Sequence, residues 1–248
     1  MSDERPIGLF DSGVGGLTVL DAVARRFPRE DLLYLGDTAR LPYGTKSRET
    51  VRRYATRATE LLLSRGIKAL VVACNTATAL ALDAIEELSP VPVVGVVAPG
   101  ARAAIARARG LGDAGPIAVL ATESTVASDA YGLAMRALDP GRAVLNVACP
   151  LFVPLAEEGW TDNDVARAAA ARYLGPVRDA VAHVVVLGCT HYPLLRATIT
   201  NELGGGVELV DSAESAAEAL DDALPAGARS ARESSGETHL LVTDTSSR

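Results

Sequence analysis

Short runs rich in Val, Leu, Ile and Ala alternate with amphipathic helical segments along almost the whole chain, and few folds accept that rhythm. The expected strands are Ile7–Asp11, Leu32–Gly36, Ala69–Ala73, Val91–Val97, Pro116–Ala121, Ala143–Ala148, Val184–Gly188, Val207–Val210 and His239–Val242. Several are continuously apolar instead of alternating, as strands buried on both faces of a parallel sheet are. Between them, Arg48–Ser64, Thr76–Leu88, Ala101–Arg109, Asp164–Arg178 and Ser212–Leu224 carry apolar residues at helical spacing. Strand–helix alternation of this kind specifies a doubly wound α/β architecture.

Nine strands are many for one open sheet in 248 residues, so two doubly wound parallel-sheet domains are expected, with the active site in the cleft between them. The first crossing is expected at Ala98-Pro99-Gly100 and the return near Gly204-Gly205-Gly206. That gives a first α/β domain of residues 1–97 plus 208–248 and a second of 98–207. The small, polar stretch 226–237 reads as a mobile loop.

Charge and composition narrow the function classes. A net charge of −7 offers no basic surface for nucleic acid or an anionic membrane. No apolar run approaches the roughly 18 residues of a membrane span. The start, MSDERPIGLF, lacks a signal-peptide core and reads as cytoplasmic. The cysteines, Cys74, Cys149 and Cys189, are odd in number and unclustered, which argues against a disulfide framework and against a structural zinc or other metal site. Lys46 and Lys68 are the only lysines.

Two pieces of the chain resemble each other. Ala69-Leu-Val-Val-Ala-Cys74-Asn75-Thr76 and Val184-Val-Val-Leu-Gly-Cys189-Thr190-His191 each run from a buried-type strand through a small residue to a cysteine, two hydrogen-bonding residues and a helix. Ligands of open α/β sheets bind at the carboxyl ends of strands, where both cysteines fall. A thiol at a helix N-terminus also meets the positive end of the helix dipole, which favours its thiolate. One such cysteine is as easily a small core residue as a reactive one; two in matched settings favour chemistry. Cys149 is followed by Pro150 in place of polar partners and reads as structural.

Other loops supply polar groups at strand ends. Asp11-Ser12-Gly13-Val14-Gly15-Gly16 fails as a dinucleotide fingerprint because Thr18 occupies the third glycine position, and no Gly-Lys-Ser/Thr follows. It leaves a carboxylate and a hydroxyl beside amides that suit a small anion. Gly36-Asp37-Thr38-Ala39-Arg40-Leu41-Pro42-Tyr43-Gly44 is a second polar loop, although such loops are often only solvated. Thr122, Thr125 and Ser128 read best as helix caps. His191 shares its strand end with Cys189, whereas His183 and His239 sit at strand entrances and read as structural; Glu157-Glu158 reads as a solvated helix face.

Five ordered blocks carry a family resemblance: DSGVGGLTVL at 11–20, GDTARLPYG at 36–44, ACNTATA at 73–79, CPLFVPLAEEG at 149–159 and LGCTHYPLL at 187–195. Together, from near the N-terminus to about residue 213, they resemble the glutamate racemases of the aspartate/glutamate racemase family. The resemblance implies a two-domain α/β isomerase that works without pyridoxal phosphate or any other cofactor and supplies D-glutamate for peptidoglycan. It implies that Cys74 and Cys189 are the catalytic acid/bases, assisted by Asp11, His191 and Glu157, the first acid of the CPxFVxxxE pattern. It makes Asp11, Ser12, Tyr43, Gly44, Asn75, Thr76, Thr122, Thr190 and His191 substrate-binding, and it implies a homodimer. His191 favours glutamate, since aspartate racemases typically carry Glu after the second Cys-Thr. The chain departs from the family pattern at Ala98, where an acid is usual, and at Ala121, where Gly precedes the retained Thr122. The family also continues through a further helix after the segment HLLVTDTSSR.

Inverting an α-carbon needs a proton removed from one face and another delivered to the opposite face, which two thiols can do as acid and base. A pyridoxal Schiff base would need a lysine at a strand's carboxyl end, and Lys46 and Lys68 are not so placed. Alternatives are racemisation of aspartate or a related amino acid, thiol-dependent hydrolysis by Cys189 and His191, and small-anion binding on a decayed racemase scaffold.

Overall fold

The computed structural model describes residues 3–225 and 227–245. The chain forms two compact units, one of residues up to Val96 together with those from Ala213 on, the other Val97–Ser212.

The first unit is built on β1 (Ile7–Asp11), β2 (Leu32–Gly36), β3 (Ala69–Val72) and β4 (Val93–Gly95), with α1 (Leu17–Arg26), α2 (Arg48–Ser64) and α3 (Asn75–Leu88) between them. In the second, α4 (Val97–Gly110), β5 (Ile117–Ala121), α5 (Glu123–Ser128), α6 (Ala130–Leu138), β6 (Val144–Ala148), α7 (Phe152–Glu157), α8 (Asp164–Asp179), β7 (Val184–Gly188), α9 (Arg196–Leu203) and β8 (Glu208–Asp211) follow. The chain then returns to the first unit with α10 (Ala213–Ala223) and β9 (Thr238–Val242).

All strand pairs are parallel. The first sheet has the order β4-β3-β1-β2-β9 and the second β6-β5-β7-β8. Read from the other edge, the second order is β8-β7-β5-β6, the same chain pattern as β4-β3-β1-β2. The two halves therefore share one four-strand topology, to which the first adds β9.

Each sheet is covered on both faces, which explains the unbroken apolar strands. Ile7, Leu9, Tyr34, Val71 and Ala73 pack against α1 and α10, while the alternate residues Phe10, Leu33, Leu35, Leu70 and Val72 pack against α2 and α3. In the second unit, Leu120, Val185 and Leu187 meet α7, α8 and α9, and Ile117, Val119, Val184 and Val186 meet α4 and α6. Each such fully buried Leu or Val contributes about 1.5–3 kcal/mol.

The expected boundaries shift for identifiable reasons. Ala98-Pro99-Gly100 does not interrupt the chain but lies in the first turn of α4, where the missing N–H of proline leaves no helical bond unmade. The return crossing comes at Ser212–Ala213, not at Gly204–Gly206, because β8 pairs with β7 and so belongs to the second sheet. Residues 208–211 thus move from the expected first domain to the second unit.

The stretch expected to be a mobile loop is irregular but fastened; Ala226 itself lies outside the described residues. Lys68, buried at the start of β3, lies 2.5 Å from the buried Glu30 carboxylate and donates to the carbonyls of Asp3 and Ala228 at 2.6 and 2.8 Å. The Ser230 amide donates to Glu30 at 2.8 Å, Arg232 pairs with Asp31 at 2.6 Å, and the Gly236 and Glu237 amides donate to Pro28 O and Asp31. This strap delivers β9 to the edge of β2.

Candidate active site

In an open parallel sheet a crevice forms where the connections leaving two neighbouring strands depart over opposite faces. In the first sheet that point lies between β1, followed by α1 on one face, and β3, followed by α3 on the other. Asp11 and Ser12 end β1, and Cys74 follows β3. In the second it lies between β5, followed by α5 and α6, and β7, whose continuation packs on the opposite face. Thr122 follows β5, and Cys189, Thr190 and His191 follow β7. The shared topology places one cysteine at each switch point.

Cys74 is buried and caps α3: the Ala77 amide donates to its Sγ at 3.4 Å. The positive end of the helix dipole is thus aimed at the sulfur. The Ser12 hydroxyl lies 3.6 Å from the same sulfur. Asn75 and Thr76, the first residues of α3, are also buried.

Asp11 is fully buried, and its Oδ2 accepts from the Gly13 and Gly16 amides at 3.0 and 3.1 Å. Those bonds require the loop to close tightly around the carboxylate. A Cβ on Gly16 would stand 2.5 Å from Asp11 Cβ and 2.9 Å from the Tyr34 hydroxyl oxygen; on Gly36 it would lie 2.5 Å from Gly13 O. Gly16 and Gly36 are explained by this close approach.

The second polar loop is organised by Asp37, also fully buried. Its carboxylate accepts from the Tyr43 hydroxyl at 2.6 Å, Arg40 Nη1 at 3.0 Å and the Thr243 hydroxyl at 2.8 Å. Its amide donates to Asp11 O at 3.0 Å, which joins the two loops. Burial, and next the hydrogen bond to Asp37, push the Tyr43 phenol far above its ordinary pKa, so it stays a neutral donor. Gly44 lies buried beside it.

In the second unit Cys189 is buried, with its Sγ 3.9 Å from His191 Nδ1. His191 Nε2 lies 3.3 Å from Glu157 Oε1, at the end of α7. Glu157 therefore joins the Cys189 group, whereas Glu158 is the C-cap residue of α7. Thr190 and Thr122 are buried here too. Two expectations are corrected. Cys189 does not cap an α-helix: a short 3-10 turn, Tyr192–Leu195, intervenes before α9, so the dipole argument applies to Cys74. Thr122 occupies the N-cap position of α5 without a capping bond from its side chain, and its hydroxyl lies 3.0 Å from that of Thr125.

Cys149 is fully buried, 3.6 Å from Val147 O, and burial above all pushes its thiol far up. Its carbonyl accepts from the Tyr192 hydroxyl at 2.8 Å. Three residues given no individual role from sequence matter to the site. Tyr34 donates to Gly13 O at 2.8 Å and lies within the electrostatic reach of Asp11 and Cys74. Asp37 and Thr243 complete the second loop. The parallel Phe10-Asp11-Ser12 and Gly36-Asp37-Thr38 strand ends could have pointed to Asp37; nothing local marks Thr243. Among the described residues no cluster of three or more His, Cys, Asp or Glu is placed to hold a metal ion, and no helix is long and apolar enough to cross a membrane.

Comparison with known proteins adds a second line. Residues 11–220 match the family described as Asp/Glu/Hydantoin racemase. A glutamate racemase of Geobacter metallireducens is 51% identical over 242 residues, 97% of this chain and 88% of that protein. The crystal structure of glutamate racemase isoform RacE1 from Bacillus anthracis superposes with a TM-score of 0.92 at 37% identity, over 98% of this chain and 90% of that one. A Francisella tularensis glutamate racemase, solved in complex with D-glutamate, gives 0.89 at 35% identity, over 98% and 89% of the two chains.

Proposed function

Because this chain belongs to the Asp/Glu/Hydantoin racemase family, and within it to the glutamate racemases, we propose that it interconverts L- and D-glutamate with Cys74 and Cys189 as its two acid/bases. One thiolate takes the Cα proton while the C–H electron pair stays on the α-carbon. The other thiol gives its proton to the opposite face. One proton has then passed between sulfurs by way of the substrate, and reversing the reaction exchanges the roles.

The observation that carries this reading is the repeated topology, which sets one buried cysteine at the switch point of each sheet. Their neighbours fit complementary duties. Asp11 and Ser12 assist at Cys74; His191, oriented by Glu157, moves protons at Cys189. Asn75, Thr76, Thr190, Thr122 and the Tyr43–Gly44 turn bind the substrate, with hydrogen bonds that strengthen as charge develops at the α-carbon and carboxylate. The reading needs no Schiff base, in keeping with Lys68 being ion-paired to Glu30 at the entrance of β3 and Lys46 following the second loop. In a cytoplasmic setting the product serves cell-wall peptidoglycan.

The test is incubation with L-glutamate in D2O without added cofactor, following optical rotation and the α-proton signal together. Rotation is expected to decay to zero while deuterium enters Cα. A folded, reduced sample that produces neither D-glutamate nor deuterated substrate would refute the assignment.

A further inference from the structure

The second polar loop is stitched to the end of strand β9 by a set of hydrogen bonds that the chemistry above does not use. The Thr243 hydroxyl donates to Asp37 Oδ1 at 2.8 Å and accepts from the Ala39 amide at 3.0 Å. Thr38 and Asp244 exchange two bonds: the Thr38 hydroxyl donates to Asp244 O at 2.7 Å, and the Asp244 amide donates to Thr38 Oγ1 at 3.0 Å. The Thr243 amide continues the strand ladder to Gly36 O at 3.2 Å. Asp37, whose other oxygen holds Tyr43, is fully buried.

A buried carboxylate takes the orientation its donors impose, since an unmet lone pair there is costly. Asp37 has three side-chain donors, of which Tyr43 and Arg40 belong to the loop being positioned. Thr243 alone among them comes from elsewhere in the chain, and it also fixes the loop backbone through Ala39. It is an exposed residue whose hydroxyl reaches the buried pair.

We infer that Thr243 is a positioning residue for the substrate loop: strand β9 sets where Tyr43 and Gly44 stand, and so sets affinity for substrate. This rests on the glutamate racemase reading, because Tyr43 and Gly44 bind substrate in it. Thr243 touches no reacting atom.

The test compares Thr243→Val, which keeps the shape and loses the hydroxyl, with Thr243→Ser, which keeps the hydroxyl. Thr243→Val is expected to raise KM for glutamate about three- to tenfold, as losing one hydrogen bond does, with kcat within about twofold. Amide hydrogen exchange across residues 38–45 should quicken in the same variant. Thr243→Ser should restore both. An unchanged KM, or an unchanged exchange rate in 38–45, overturns the inference. So does a Ser variant that behaves like Val, which would mark a packing effect of the side chain. Loss of the glutamate reading would show separately, as a wild-type protein that does not racemise.

Discussion

The Glu157 carboxylate stands 3.3 Å from His191 Nε2, on the opposite edge of the imidazole from the Cys189 sulfur, which lies 3.9 Å from Nδ1. A carboxylate so placed fixes the orientation of the ring. Glu157→Gln is expected to lower kcat about tenfold to a hundredfold, because it removes the negative charge that faces the imidazole at 3.3 Å. Glu158→Gln should stay within about twofold of wild type. Steady-state kinetics in both directions decide this, and equal effects at the two positions would contradict it.

The three thiols should separate by chemistry. Cys74→Ser and Cys189→Ser are each expected to lower racemisation by at least about a hundredfold, the scale of one acid/base. Cys149→Ala should retain activity and lose only about 1 kcal/mol of stability. On treating the native protein with iodoacetamide, peptide mass spectrometry should find Cys149 unmodified, because its thiol is enclosed and pushed far up by burial. Labelling of Cys149 ahead of the other two would contradict this placement.

Gly16→Ala should disturb the Asp11 loop directly, since the new methyl would meet the Asp11 side chain and the Tyr34 hydroxyl. A cost of about 1–3 kcal/mol in unfolding free energy is expected, with a loss of activity larger than the loss of folded protein. Gly13→Ala is the matched control, its nearest neighbour being Leu41 at 3.7 Å. Chemical denaturation of both variants checks the contrast.

Acid should loosen the strap before the rest of the first unit. The Glu237 amide, and with it the Arg232 guanidinium, holds the Asp31 carboxyl below its ordinary value of 3.8. A carboxyl lowered in the folded state stabilises it above the unfolded value, and that contribution disappears as pH falls through the folded value. Hydrogen exchange over residues 229–242, corrected for intrinsic rates, should therefore rise below about pH 4. Constant protection from pH 6 to pH 3 would show that Asp31 does not hold β9.

Much of the fold could be read from local sequence. Strands β1, β2 and β7 run between the expected residues, since a buried parallel strand needs an apolar run and a glycine or polar residue ends it. Cys189 and His191 share one loop and are grouped by sequence alone, whereas the grouping of Asp11 and Ser12 with Cys74 depends on β1 pairing with β3. Pairing partners are less legible. That 208–211 joins β7, and that 227–237 is fastened, depends on residues far away in the chain: Val184–Leu187 for the one, Glu30, Asp31 and Lys68 for the other. Thr243 was invisible for the same reason. A lone threonine after a strand carries no sign that a buried carboxylate waits 206 positions earlier.

The repeated four-strand order also bears on kinetics. L- and D-glutamate are mirror images, so in an achiral solvent their equilibrium constant is unity, and kcat/KM must be equal in the two directions. The two strand-end thiols are unequal: one lies against a hydroxyl and an amide, the other beside an imidazole backed by a carboxylate. In a racemase that inequality cannot tilt the balance between enantiomers. It can appear only as matched differences, one direction having both the higher turnover and the weaker apparent affinity.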